Sequence, residues 1–391
     1  MMTTGRYEFF SLAGAMQHNS YNLVHTEEHG ESWRILPVDG YGTQELVRSV
    51  VRNERPDIVW FMTDPRFYEW LWMIENEIRP LAPMIYYHVW DNYPHPKFNK
   101  PFYDSNDLIV AISKVTEDFV KNVAPDVKRI YLPHAVDTNI FKKHDENDVK
   151  NFKHKAFPDE KNMDKMIFFW NNRNARRKQS GSLMFWFKEF LDQVGHDKAM
   201  LLMHTDPRDP HGQDLELILR ELKLDKGEIV ISNEKIPSEM LSMMYNMADC
   251  TINISDAEGF GLATLESLSC ETPIIVNMTG GLQEQVTDGE EWFGYGIEPS
   301  SKAVIGSQQV PYIYEDRISK EDFIQSLLNF YNLSEEERRE IGRKGREHVM
   351  KNYNFDNFVA EWDRVLTETY ENLGSWENRK NYKSWTIEEV A

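Results

Sequence analysis

Eleven short apolar runs alternate with longer amphipathic stretches along this chain. Six lie in the first half: YNLVH, WRILPV, PDIVWFM, PMIYYHV, DLIVAIS and RIYLPHA. Five lie in the second: KMIFFW, KAMLLMH, EIVIS, CTINIS and PIIVNM. Helical periodicity fills most of the gaps, as in TQELVRSVVRN, PSEMLSMMYNMA and KEDFIQSLLNFYN. Strands this short and this apolar are buried on both faces, which is the condition of a parallel sheet. Parallel neighbours need crossover connections, normally helices. The two series predict an α/β protein of two Rossmann-like domains whose parallel sheets face a cleft. A chain of 391 residues with 41% apolar content can fill two cores.

The boundary falls best in 141–165, which is charged, poor in aliphatic residues and without clear periodicity. This gives domains at 1–150 and 151–353. Residues 354–391 form a C-terminal helix and tail that could cross back to the first domain, with WENRKNYKSWTIEEVA read as a loosely packed terminus. One expected element is missing. A doubly wound domain opens with a strand, then a glycine turn, then a helix. TTGRYEFFSLAGAM resembles the turn, at Gly5, which is read as donor-binding, and the helix without the strand before them, so the first strand is expected to be absent or truncated.

The formal charge of −20 disfavours long-range attraction to nucleic acid or anionic lipid. No run of 18 apolar residues occurs, and the first thirty residues lack a secretory pattern. The two cysteines, Cys250 and Cys270, sit in apolar surroundings and read as reduced thiols of a cytoplasmic protein. No Asp-x-Asp closes an apolar strand, no His/Cys set has zinc spacing, and no Gly-x-x-x-x-Gly-Lys-Ser/Thr loop appears. No metal residue is therefore assigned.

The stretch SDAEGFGLATLESLSCETPII, 255–275, carries the chemistry. In parallel sheets, ligands bind at the carboxyl ends of strands, where helix N-termini present free N–H groups. Glu258 falls in the loop after CTINIS. Gly259, Phe260 and Gly261 follow it and let backbone approach a ligand. A helix from Leu262 offers N–H groups to a phosphate, and Glu266 lies one turn in. A nucleotide sugar has the matching shape, with Glu258 on sugar hydroxyls and Glu266 on the ribose. The plainer alternative is a helix with acidic residues favoured by its dipole.

The wider segment 241–289 resembles the donor-site signature of retaining glycosyltransferases of family 4, the glycogen-synthase-like group on the GT-B fold. Asp249, Ser255, Glu258, Glu266, Pro273, Gly280 and Gly281 match its pattern over about fifty residues. Glu271 departs from it, standing where the family usually has Gly before Thr-Pro, and a packing effect is expected. A second departure is the long segment 292–317, which reads as a lid, an acceptor loop, an interface or a plain insertion. FFWNNRNARRKQSG follows a strand, and cations there can stabilise a leaving diphosphate. The resemblance places the family's Arg and Lys at Arg173 and Lys178, with Asn172 beside them on the donor. It also aligns His88, after PMIYYHV, with a histidine facing the reacting sugar. Asp64, Arg66, Asp91 and His95 are weaker acceptor-side candidates.

What the resemblance implies is sugar transfer from a nucleotide-diphosphate sugar to an acceptor hydroxyl, with retention and without an obligatory metal or other cofactor. UDP is the commonest guess for the nucleotide. The rivals are a nucleotide-sugar-binding protein with weak or no transfer, motivated by the missing first strand, and a sugar-nucleotide epimerase on the same architecture. The acceptor is not readable from the sequence.

Overall fold

The computed structural model describes residues 1–382 except Gln17 and Asn19. Each of the eleven apolar runs contains a strand, and four further strands appear. In chain order they are β1 Phe9–Ala13, β2 Val24–Thr26, β3 Gly30–Pro37, β4 Val59–Thr63, β5 Met84–His88, β6 Leu108–Ala111 and β7 Arg129–Tyr131. The series continues with β8 Met166–Asn171, β9 Ala199–His204, β10 Ile229–Ser232, β11 Cys250–Asn253, β12 Ile274–Asn277, β13 Gly294–Ile297, β14 Ser301–Ile305 and β15 Ile313–Arg317.

The first domain is built on the parallel sheet β4-β5-β6-β7, joined by a small sheet of order β1-β3-β2. The second is built on six parallel strands in the order β10-β9-β8-β11-β12-β13. That is the doubly wound order, in which the chain reverses direction across the sheet between the two central strands. Burial of β5, β6, β11 and β12 is complete along their length, as strands covered by helices on both faces require. One apolar cluster runs from Ile85, Tyr87 and Val110 of the first sheet to Phe260, Leu265 and Leu282 in the loops and helices of the second domain. The two domains therefore share packed core.

Three expectations need correction. The stretch read as turn and helix is a strand: Phe9–Ala13 pairs in parallel with Trp33–Pro37, and its apolar residues are half-buried. The first strand is thus present, and the glycine that follows it is Gly14. Gly5 lies before the strand, in a left-handed cap behind the turn Met2–Thr4, and is exposed. It is not in position to bind a donor. Second, 146–156 in the expected boundary is a helix, capped by Asp145, with no fully buried residue. A helix with no buried stripe leaves no apolar period in the sequence.

Third, the tail from Trp376 is not loose where it is described. Helix Phe355–Leu373 carries Trp362 onto the first domain, edge-on to Trp60 and Tyr87 at 5.1 Å each. Beyond it, the Trp376 amide donates to the Leu81 carbonyl at 2.6 Å, and the Arg379 guanidinium, only 4% exposed, pairs with Asp107 at 2.7 Å. The remainder of that stretch, 383–391, lies outside the described residues.

Candidate active site

The doubly wound order puts a crevice at the carboxyl ends of β8 and β11, where successive connections leave in opposite directions. Both chemistry-bearing segments emerge there. After β8 the chain makes a tight turn at Arg176–Lys178, and Gln179 takes the left-handed conformation before helix Ser180–Val194. After β11 the loop 254–261 leads into helix Leu262–Ser269. The two loops are stitched together. The Asp256 amide donates to the Arg177 carbonyl at 2.8 Å, and the Arg177 guanidinium donates to the Ala257 carbonyl.

At the centre, Lys178 Nζ donates to Glu258 Oε2, and Asn253 Nδ2 donates to the same oxygen at 3.4 Å. The side chains of both ion-pair members are about nine-tenths buried. Burial alone would raise the Glu258 pKa, but Lys178 and Arg177 outweigh it and hold the carboxyl below its ordinary range. Burial lowers the Lys178 pKa in turn, with Glu258 acting against that, and the pair is desolvated and fixed. Backbone fixes it further: the Gly281 amide donates to the Glu258 carbonyl at 3.1 Å, and a Cβ on Gly280 would meet that carbonyl oxygen at 1.8 Å. The Gly-Gly of the sequence signature is what lets helix Gln283–Val286 begin against the Glu258 loop.

Helix Leu262–Ser269 has no side-chain cap, so its first N–H groups are open at the crevice. Along this helix, Glu266 accepts a hydrogen bond from Tyr245 Oη at 2.8 Å, and Asn171 Nδ2 donates to that Tyr245 oxygen at 2.8 Å. Burial pushes the Glu266 carboxyl up to about 7. Three buried polar atoms lack partners near the same edge of the sheet: Asn172 Nδ2 after β8, Thr205 Oγ1 after β9 and Asn277 Oδ1 ending β12. Buried unpaired polar atoms are uncommon in native folds, and these three at the carboxyl ends of the strands fit a polar ligand there.

The first domain closes the opposite side. A Cβ on Gly259 would lie 3.1 Å from the Val89 carbonyl oxygen, so the loop after β5 touches the loop after β11. Asp91, two residues on, is half-buried among Arg177, Lys178, Glu258 and Asp64. Its carboxylate makes no hydrogen bond among the described residues. Burial pushes it up to about 6, with Arg177 acting against that and Glu258 adding to it.

Several predicted positions are elsewhere. His88 does not face the crevice. It is fully buried, Nδ1 bonds Tyr86 Oη at 2.9 Å, and Nε2 bonds Tyr103 Oη at 2.7 Å. As the last residue of a strand with both faces covered, it packs inward. Burial lowers its pKa to about 3. The folded protein thus excludes a proton that the unfolded chain takes up near pH 6.5. The stability this residue supports is complete above that pH and is lost as the pH falls towards 3. His88→Ala leaves a cavity and takes a partner from the buried Tyr103 hydroxyl, while Tyr86 Oη keeps the Thr63 carbonyl, and is expected to cost about 2–4 kcal/mol of stability. Urea unfolding at pH 7 measures this, and turnover per folded molecule stays within severalfold of normal. A stable variant without turnover would return His88 to the reaction.

Arg173, by contrast, is turned outward, 61% exposed, paired with Asp209 at 2.5 Å and with His211 at 2.8 Å. The cation beside Lys178 in the crevice is Arg177, present in the same basic run but not singled out by spacing. His95 pairs with Asp118 at 2.9 Å rather than with the crevice residues. Asp64 caps the turn Pro65–Phe67, and its carboxylate lies 3.5 Å from Arg66. Phe260 is core, edge-on to His134 and Tyr353, whereas Leu262 is half exposed. Glu271 takes φ 62°, the left-handed region that favours glycine, and helix Glu335–Asn352 meets its carbonyl through Gly342. The cost is local strain of about 1 kcal/mol.

The long segment 292–317 supplies β13 at the sheet edge and then the antiparallel hairpin β14–β15. This hairpin bridges the domains. The Tyr314 amide donates to the Tyr93 carbonyl at 2.6 Å, and Asn92 Nδ2 donates to the Tyr314 carbonyl at 2.7 Å. Val310 packs with Trp90 and Phe119. On the other side, Glu315 pairs with Arg176, and Asp316 Oδ2 accepts from Thr279 at 2.8 Å. Asn92 directly follows Asp91, so the hairpin braces both walls of the crevice.

Residues 209–348 match the sequence profile of the family described as Glycosyl transferases group 1. N-acetyl-alpha-D-glucosaminyl L-malate synthase of Bacillus anthracis is 21% identical over 67% of this chain and 60% of its own length. D-inositol 3-phosphate glycosyltransferase of Acidothermus cellulolyticus is 42% identical over 18% of this chain and 16% of its own. The chain thus spans less than two thirds of these relatives. Among solved structures, sucrose-phosphate synthase from Thermosynechococcus elongatus superposes with TM-score 0.74, at 15% identity, over 95% of this chain and 91% of that one. HepE of Anabaena, solved with UDP and glucose, superposes with TM-score 0.65 at 13% identity over 88% of each chain.

Proposed function

We propose that this chain, which carries a glycosyl transferases group 1 domain on a GT-B fold, moves a sugar from a nucleoside-diphosphate sugar to an acceptor hydroxyl with retention of configuration. The observation that carries the reading is the buried Lys178–Glu258 pair at the switch point of the second sheet, beside an uncapped helix N-terminus. Residues 151–353 hold the donor, 1–150 face the acceptor, and 354–382 tie the two. Asn172 and the N–H groups from Gly261 and Leu262 meet the diphosphate. Glu258 grips the sugar and Glu266 the ribose. The bond from C1 to the diphosphate oxygen breaks as the bond from the acceptor oxygen to C1 forms on the same face. The acceptor's proton passes to the departing phosphate oxygen, and a nucleoside diphosphate leaves. Charge on that leaving group is stabilised by preorganised Lys178 and Arg177.

UDP is the proposed nucleotide, supported by the UDP complex of the similar HepE structure. The cations of the clamp are side chains, so activity is expected to survive a chelator. A cytoplasmic location accords with two free, buried cysteines. The rival reading, binding without transfer, loses its motive because β1 is present. Thermal unfolding with UDP-, GDP- and ADP-sugars tests the donor: a ligand at a hundred times its Kd adds about 2.7 kcal/mol. Product anomers are then read by NMR. No stabilisation by any nucleotide sugar, or an inverted product, would sink the reading. Donor consumed to an isomer without acceptor would favour the epimerase.

A further inference from the structure

The acceptor wall has a chemistry of its own. It is formed by the loops that follow β3, β4 and β5. Tyr41 and Phe67, from the first two, stack with ring centroids 4.7 Å apart and planes 22° apart. Both rings remain exposed, at 42% and 36%. Tyr68 braces Tyr41 edge-on at 5.6 Å and packs in turn on Phe61 at 5.1 Å. The loop behind Tyr41 is held by close backbone contact, since a Cβ on Gly14 would meet the Gly40 carbonyl oxygen at 1.5 Å. The result is a rigid, solvent-facing aromatic step, fixed by packing from below.

Asp64 and Asp91 continue the wall from that step towards Lys178 and Glu258. β4 and β5 are paired with Thr63 opposite His88, so their loops start one strand spacing apart. That is about 5 Å, the breadth of one pyranose ring. The cations nearby are already committed. Arg66 lies over the Phe67 ring at 4.9 Å and faces Asp64 at 3.5 Å. Arg177 is held on the Ala257 carbonyl and Lys178 on Glu258. Among the described residues the Asp91 carboxylate, an acceptor of hydrogen bonds, has no hydrogen-bond partner on this wall.

We infer that the acceptor is an uncharged saccharide, with one ring packed against the exposed side of the Tyr41–Phe67 pair and the reacting hydroxyl oriented by Asp91. This rests on the sugar-transfer reading and specifies its second substrate. A sugar ring offers C–H groups to an aromatic face and O–H donors to a carboxylate. A phosphorylated or carboxylated acceptor would instead bring negative charge against Asp64 and Asp91, and the cations that face Asp91, Arg177 and Lys178, are the ones the leaving diphosphate takes in the proposed reaction. Asp91 is a positioning residue in this arrangement, because the proton of the acceptor leaves with the phosphate oxygen.

The test uses the full chain and the donor found by the thermal screen. Methyl glycosides and disaccharides are compared with the corresponding sugar 6-phosphates, both as acceptors and by saturation-transfer NMR binding to the UDP-loaded protein. Neutral saccharides are expected to show kcat/KM at least about tenfold above their phosphates. Tyr41→Ala and Phe67→Ala are expected to raise the acceptor KM about tenfold, while UDP affinity by calorimetry stays unchanged. Acceptor-dependent turnover is expected to rise as the pH increases through about 6, where Asp91 ionises among Arg177, Lys178, Glu258 and Asp64, and Asp91→Asn is expected to flatten that limb. Preference for phosphorylated acceptors, failure of every neutral saccharide to bind, or an unchanged acceptor KM in both aromatic variants overturns this inference while UDP binding leaves the transfer reading standing. Failure to bind any nucleotide sugar overturns both.

Discussion

Lys178→Ala lowers turnover by about a hundredfold or more, and it also destabilises the protein. The first effect follows from the chemistry. Negative charge grows on the departing diphosphate, and loss of one preorganised donor to a developing anion costs about two to three powers of ten in rate. The second follows from the geometry. A basic turn seen only as sequence would be expected to contribute little to folding, but the Lys178 side chain is 10% exposed and satisfies Glu258. Its removal leaves a buried carboxylate with Asn253 and the nearby Arg177, and breaking a buried pair on one side typically costs about 3–5 kcal/mol. Turnover must therefore be measured per folded molecule, with the folded fraction taken from circular dichroism. Lys178→Met serves as the control, since it refills the volume without the charge. If either variant, once folded, turns over normally, the clamp assignment fails.

The reach of the sequence can be judged at particular residues. Strand existence was legible because strands buried on both faces are apolar runs, and each of the eleven such runs contains one. β1 was missed because FFSLA is half-buried and merges with a glycine turn that resembles a helix start. β14 and β15 were missed because a hairpin braced mainly by backbone bonds and a few contacts needs no apolar period. At the site, the spacing of Glu258 and Glu266 gave their placement on one loop and helix. Spacing could not say which cation of RNARRK turns inward. Arg173 and Arg177 differ only in what waits for them, Asp209 outside and the Ala257 carbonyl inside. His88 looked like a site residue because it ends a strand, yet two tyrosine hydroxyls, at Tyr86 and Tyr103, claim its ring. Partners distant in sequence decided both cases, and a single sequence does not display them.

Glu258 and Glu266 are expected to fail in different ways. Glu258 is held as a carboxylate by Lys178 and Arg177, and in the proposed reaction it meets the sugar, whose charge and shape change on the way to the transition state. Glu258→Gln keeps the size and hydrogen-bonding capacity but leaves Lys178 without its counter-charge, so turnover falls by about a hundredfold or more. UDP, which carries no sugar, binds this variant almost as well as before. Glu266 meets the ribose, which is the same in ground and transition states. Glu266→Ala therefore removes uniform binding: the donor KM and the UDP Kd rise together, and kcat changes less. The environment of Glu266 supplies a second signature. With Tyr245 on one oxygen and burial pushing its carboxyl up to about 7, it is protonated below that pH. Ribose hydroxyls donate best to the ionised form, so UDP affinity is expected to rise as the pH increases through about 7, and Glu266→Gln is expected to flatten the profile. Calorimetric titration with UDP across pH 6–8 measures both. Equal weakening of UDP by the two substitutions, or none by either, would mean that the two carboxylates do not grip opposite ends of one donor.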